Sequence, residues 1–281
     1  MGKRHDVRMR ASIPTTSVLG VPVANLSVPD AIAETNRLLN HPEPAVLCFV
    51  NAHSANLAHR DPAYRRTLLA ADLVLNDGSG VELAARLQGT RFRANLNGTD
   101  LIPLVLDLAA CQSHRVFLLG GRPGVARSAA SALAGRHLGL RVVGHAHGYF
   151  PPGAARSVAD AVRASGADLL VLGLGSPAQE LFLAAHLRRT GVRLGIAGGA
   201  FLDFAAGRVP RAPRWMRESG VEWVFRLGQE PGRLFHRYVV GNPLFLARVV
   251  RERCFPRRTS QLPAPEISEP PARPSHRRVE Q

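Results

Sequence analysis

Asp77 stands in the stretch VLNDGSGV, directly after a short apolar run, with Asn76 before it and Gly78 and Gly80 behind it. A carboxylate there, among residues that let backbone approach a ligand, can take a proton as a general base. The alternative is a turn-forming Asp that caps the next helix. Asn51 ends another apolar run in FVNAHSAN and can bind the same ligand or serve as a structural turn residue. In ADLLVLGLGSPAQE, residues 167–180, a third run ends in Gly173, Gly175 and Ser176, and Pro177 opens a helix where its missing N–H costs nothing. Such a turn aims free backbone N–H groups at a phosphate or diphosphate above it, or closes tightly with no ligand at all. Gln179 and Glu180 follow, facing that ligand or simply starting the helix. Gly120-Gly121 and Gly198-Gly199 end two further runs. Asn97-Gly98-Thr99-Asp100 precedes a helix, with Thr99 or Asp100 expected as its N-cap.

Other chemistries find less support. His145 and His147 lie two apart in an expected loop, but no third ligand stands at a recognisable spacing, so no metal site is expected. There is no Asp-x-Asp pair and no Gly-Lys-Ser/Thr of a P-loop. Gly173-x-Gly175-x-x-Ala178 matches a relaxed dinucleotide pattern, yet it comes late in the chain and no acidic residue closes the next strand, which argues against a nicotinamide enzyme. Cys48, Cys111 and Cys254 are widely separated, as expected of a reduced, cytosolic protein without disulfides.

The elements that must position these residues alternate. Strands are expected at Ala45–Asn51, Asp72–Leu75, Arg115–Leu119, Leu140–Gly144, Asp168–Leu172 and Arg193–Ala197. Helices are expected at Asn56–Ala70, Val81–Leu87, Leu101–Cys111, Val125–Leu138, Ala154–Ser165 and Gln179–Arg188. This is the pattern of an α/β fold, a Rossmann-like and mostly parallel sheet with helices on both faces. Ligands on such sheets lie beyond the carboxyl ends of the strands, here the loops after Cys48, Leu75, Leu119, Leu172 and Ala197.

Across 281 residues the net charge is +15, and Lys3 is the only lysine. Arginine forks onto phosphate, so the excess suits nucleic acid, anionic lipid or a nucleotide diphosphate, unless it only reflects a GC-rich genome. A non-catalytic polyanion-binding protein is therefore the competing reading. Arginines crowd the last third, between Arg208 and Arg253, interleaved with Trp215, Trp223, Phe225, Phe235 and Tyr238. No apolar run approaches the span of a bilayer. The N-terminus has no apolar signal region, and Asp6 argues against myristoylation. Residues 1–14 and the Pro-rich tail 256–281 are expected to be disordered.

Six segments, in order, resemble one family: DPAYRRTLLAADLVLNDGSGV, NLNGTDL, VFLLGG, GHAHGYF, DLLVLGLGSPAQE and GGAFLDFAAGRVPRAPRWMRESGVEWVFRL. The family is the WecG/TagA/CpsF group of bacterial glycosyltransferases, which add the second or a later sugar to polyprenyl-diphosphate-linked saccharides. The resemblance spans about residues 45 to 250. It implies inverting transfer without metal or cofactor in exopolysaccharide or cell-surface glycan synthesis. The donor would be a UDP-sugar (N-acetylmannosamine, N-acetylmannosaminuronic acid, glucose or similar) and the acceptor a polyprenyl-diphosphate-linked saccharide.

On this resemblance Asp77 takes the position of the base, and Asn51 that of the strand-end Asn beside the sugar. Gln179 matches the Gln of Gly-Ser-Pro-x-Gln-Glu, close to the nucleotide-sugar. Asn97, Gly98, Gly120, Gly121, Gly175, Ser176, Gly198 and Gly199 would line the substrates. Arg208, Arg211, Arg214 and Arg217 would stabilise the departing diphosphate, with Arg211 and Arg214 the preferred pair. The chain would divide into a transferase domain, 15–209, and a helical membrane-docking appendage, 210–255. Its partners would include an anionic membrane surface on the cytoplasmic side but no nucleic acid; self-association stays open. Phe49 stands where the family often carries Thr, and ANLN before Gly98 where many members have Arg-Val-Thr. Both departures bear on the choice of sugar.

Overall fold

The computed structural model describes residues 13–151 and 153–255, without the side chains of residues 218 and 233. The expected disordered ends lie outside these residues, except Ile13 and Pro14. Those two are ordered: Ile13 packs on the core and the Pro14 carbonyl accepts from Asn25 N–H at 2.7 Å.

One eight-stranded sheet runs in the order β1-β2-β4-β3-β8-β7-β5-β6. An antiparallel hairpin of β1 (Thr15–Val18) and β2 (Val21–Ala24) forms one edge. Every other pairing is parallel, joining β2 to β4 (Leu73–Asn76) and linking β3 (Ala45–Val50), β5 (Arg115–Gly120), β6 (Arg141–Ala146), β7 (Leu169–Gly173) and β8 (Leu194–Ala197) into the same sheet. The hairpin and helix α1 (Val28–Leu39), closed by a Ser27–Asp30 capping box, were not anticipated from sequence.

The apolar runs are explained by burial on both faces. Leu47, Phe49, Leu169 and Val171 belong to one core layer, and Cys48, Val50, Leu170 and Leu172 to the other. Two Ala-Asp-Leu triplets pin the amino ends. The Asp72 carboxylate accepts Val46 N–H at 2.8 Å, joining β4 to β3, and Asp168 accepts Arg115 N–H at 2.9 Å, joining β7 to β5.

The expected single helix over Asn56–Ala70 is two helices, α2 (Ala52–Arg60) and α3 (Pro62–Ala70). Pro62 lacks the N–H a continuing helix needs, and the Asp61 carboxylate instead accepts Ala63 and Tyr64 N–H as a new N-cap. Helices α4 (Ser79–Leu87), α5 (Gly98–Cys111), α6 (Val125–Arg136), α7 (Ala155–Ala164) and α8 (Ala178–Thr190) complete the layers, and short α9 (Phe201–Ala205) follows β8. His145 lies within β6 rather than in a loop, because Leu118 pairs with it.

Beyond residue 209 come α10 (Arg214–Glu218), α11 (Glu222–Gln229), α12 (Pro231–Phe235), a π-helical turn (His236–Val240) and α13 (Gly241–Cys254). Phe245 and Val249 of α13 are buried in the same layer as α2. No helix among the described residues is long and apolar enough to cross a membrane.

Candidate active site

The strands that end in the polar and glycine-rich loops are contiguous in the sheet, in the order β4, β3, β8, β7, β5. Asp77, Asn51, Gly198-Gly199, Gly175-Ser176 and Gly120-Gly121 therefore share one rim, where parallel sheets hold ligands.

At its centre Asn51 Nδ2 donates to Asp77 Oδ2 at 3.0 Å. Local structure dictates this aim. Asn51 caps α2, and its Oδ1 accepts both His53 and Ser54 N–H at 3.1 Å, so the amide nitrogen must point outward. Asp77 N–H donates to Val50 O at 2.9 Å, carrying the β3–β4 ladder one residue past the strand. Asp77 makes no capping bond to α4, whose N-cap is Gly78, so its side chain is not spent on the helix as the turn-forming alternative would have it. Gly78 N–H instead meets Asn95 Oδ1 at 3.1 Å, a contact that only the tertiary fold discloses.

The N-cap of α5 is Asn97, not Thr99 or Asp100. Its Oδ1 takes Asp100 N–H at 3.0 Å while its Nδ2 bonds the Asp100 carboxylate at 2.8 Å. Asp100 is thereby left to meet Arg211 Nη1 at 2.7 Å and Arg217 at 3.6 Å. Burial pushes the Asp100 carboxyl up, but the Arg211 and Asn97 hydrogen bonds and both arginine charges outweigh it and hold the group below the usual range. Gly98 faces the Phe49 ring; a Cβ there would sit 3.2 Å from it, so Phe49 fills space beside the rim.

Arg211 and Arg217 thus share one carboxylate. Arg211 Nε and Nη2 are sealed from solvent without a hydrogen-bond partner. Arg208 and Arg214 are exposed. Ser79 Oγ donates to Gly220 O at 2.7 Å and ties this segment to the Asp77 loop. Glu222, which sequence reasoning missed, opens α11 within electrostatic reach of Asp77 and Asp100. Burial raises its pKa against the pull of Arg211 and Arg226.

Gln179 is buried and its amide is fully engaged. Oε1 accepts Gly199 N–H at 3.0 Å, and Nε2 donates to Ala197 O at 3.2 Å and Glu180 Oε1 at 3.1 Å. It therefore braces the β8 loop against the β7 loop, and Gly199 N–H is taken by protein. Gly120 and Gly121 serve close packing, since a Cβ on either would strike Gly173 backbone or Val125 at about 2.5 Å. Gly175 and Gly199 have open space above them.

His145 and His147 are exposed, and Tyr149 N–H donates to His147 Nδ1 at 3.2 Å. Among the described residues no three His, Cys, Asp or Glu side chains gather as a metal site would require. A broad, open depression beside β6, lined by Arg127, Ser131, Arg141 and His145, includes none of the rim residues.

Two relatives carry the name N-acetylglucosaminyldiphosphoundecaprenol N-acetyl-beta-D-mannosaminyltransferase. The protein from Bacillus subtilis is 30% identical over 210 residues, 74% of this chain and 80% of its own length. The one from Bacillus spizizenii is 31% identical over 215 residues, 76% of this chain and 81% of its own. The chain is thus a glycosyltransferase, which displaces the non-catalytic polyanion-binding and nicotinamide readings. Residues 16–259 match the profile of the glycosyl transferase WecG/TagA/CpsF family, and the chain belongs to that family.

Proposed function

We propose that the protein transfers a sugar from a UDP-sugar to a polyprenyl-diphosphate-linked saccharide during cell-surface glycan synthesis, with inversion and with Asp77 as general base. The observation that carries this reading is the Asn51–Asp77 hydrogen bond at the strand-end rim. It occupies Oδ2 and leaves Oδ1 to accept a proton. As the acceptor oxygen bonds the anomeric carbon, its proton passes to Asp77, and the bond from that carbon to the diphosphate oxygen breaks with its electron pair leaving on UDP. N-acetylmannosamine, named in both relatives, is the first donor to test. Phe49 against Gly98 is the feature of this chain with which the choice of sugar would vary.

The departing diphosphate needs positive charge. Arg211, half-buried and held by Asp100, and Arg214, exposed on the same segment, support the assignment of this pair to that role, with Arg217 also beside Asp100. Residues 210–255 act as a membrane-facing appendage to the 15–209 transferase domain. Exposed Trp215, Trp223, Val224, Phe235, Val239 and Val240 among arginines suit an anionic surface on the cytoplasmic side.

The test is acceptor-dependent release of UDP from a panel of UDP-sugars, in EDTA, with wild type and Asp77→Ala. A drop in kcat of about a thousandfold or more is expected of a lost general base, with an unchanged melting temperature. Near-normal turnover in the variant would sink the assignment of Asp77. Loss of wild-type activity in EDTA would overturn metal independence.

A further inference from the structure

The loop that carries Asp77 has little packing of its own. Gly78 lies at φ +88° with nothing within 4 Å of where a Cβ would sit, and it gives α4 no side-chain cap. Backbone this permissive does not fix a side chain by itself, and a catalytic group must be held to within about 0.5 Å. Asn51 orients the Asp77 carboxylate, but that carboxylate is placed no better than the peptides on either side of it.

A strap of residues 91–97, neither helix nor strand, runs past the carboxyl ends of β2 and β4, which pair at Ala24 and Leu75. Asn25, just after β2, spends both ends of its amide on the strap. Its Nδ2 donates to Arg91 O and its Oδ1 accepts Arg93 N–H, each at 2.8 Å. Asn76, buried at the end of β4, donates through Nδ2 to Ala94 O at 2.9 Å. Asn95 returns the contact, its Oδ1 accepting Gly78 N–H at 3.1 Å. Leu96 is buried, and Asn97 carries the strap into α5 as the N-cap. The strap therefore holds the residue before Asp77 and the residue after it.

We infer that Asn95 and Asn76 are positioning residues for the base, fixing through this strap the two peptides that flank Asp77. The inference rests on the reading of Asp77 as the base. Neither hydrogen bond ends on the Asp77 carboxylate, so its proton-accepting oxygen stays open while its backbone is held from both sides. Without the Asn95 oxygen the Gly78 peptide is free to turn. That misplaces the base relative to the attacking hydroxyl and removes no contact with the donor, so the loss belongs to kcat rather than KM.

The experiment compares Asn95→Ala, Asn95→Asp and Asn25→Ala with wild type. It reads hydrogen–deuterium exchange over residues 77–82, and kcat and KM for UDP-N-acetylmannosamine with a polyprenyl-diphosphate-linked acceptor. Asn95→Ala is expected to speed exchange and to lower kcat about tenfold, the scale of one hydrogen bond, with KM held within about twofold. Asn95→Asp keeps an acceptor for Gly78 N–H and is expected to restore slow exchange and most of kcat. Asn25→Ala releases the strap at its other end and is expected to speed the same exchange without altering any residue of the Asp77 loop. In an Asp77→Ala background, Asn95→Ala is expected to cost nothing further, because it acts through the base. Unchanged exchange in Asn95→Ala, a loss carried by KM, or a further tenfold fall in the Asp77→Ala background overturns the inference. Near-normal turnover in Asp77→Ala would remove the base reading, whereas the exchange arm, which needs no substrate, reports separately whether Asn95 holds the loop.

Discussion

Asn51 divides one amide between two jobs, holding helix α2 through Oδ1 and Asp77 through Nδ2. A serine at this position would keep the first job, because its hydroxyl accepts as an N-cap, and lose the second. Asn51→Ser is therefore expected to melt within about 0.5 kcal/mol of wild type while kcat falls about tenfold, the effect of losing one hydrogen bond to a charged group. Thermal unfolding and steady-state kinetics on the same preparation separate the two. A kcat for Asn51→Ser within about twofold of wild type would mean that the contact with Asp77 carries no catalytic weight.

At the scale of elements, the loops differ in what their glycines are for. Gly120 has φ +152°, and a Cβ would lie 2.5 Å from the Gly173 backbone, which cannot yield without parting β5 from β7. Gly175 has φ +78° with nothing within 4 Å. Gly120→Ala is thus expected to cost about 3 kcal/mol or more, and Gly175→Ala about 1 kcal/mol through backbone strain alone. Denaturant midpoints measure both, and similar values would refute the distinction. Between α2 and the C-terminal helices a different constraint operates. Burial, with Arg237 and His236 nearby, lowers the His53 pKa to about 4. The folded value lies below the unfolded one, so this contribution to stability is present above about pH 6.5 and is lost as pH falls through about 4. His53→Gln is expected to flatten the fall in melting temperature between those limits. An unchanged pH slope would exclude His53 as its cause.

For the molecule as a whole, charge and shape separate. The β-sheet core buries apolar residues on both faces, while the segment after residue 209 presents Trp215, 65% exposed, and Trp223 among arginines. If that segment meets a membrane, wild type will sediment with vesicles containing phosphatidylglycerol and less so with phosphatidylcholine alone. Trp215→Ala together with Trp223→Ala is expected to weaken the association about tenfold or more, given the apolar area each ring contributes. Retained binding would shift the interaction to arginine alone, and steep salt dependence would then be its signature.

The local signals in this chain were sufficient for its α/β class, the strand-end loops and the expected place of Asp77. Apolar runs, glycine turns and Pro177 act within a few residues of themselves, so linear order reveals them. The early hairpin escaped notice because its four-residue strands carry little periodicity, whereas α1, twelve residues with a capping box and one buried face, carried a local signal that was passed over. A capping competition decided Asn97 over Thr99 and Asp100, and Pro62 broke the first expected helix by removing a single donor. Only the tertiary structure could bring Asn51 to Asp77 across 26 positions, Arg211 to Asp100 across 111, and Asn95 to Gly78 across 17. Such pairings depend on strand order, and strand order is set by which faces bury together, a property no short window of sequence contains.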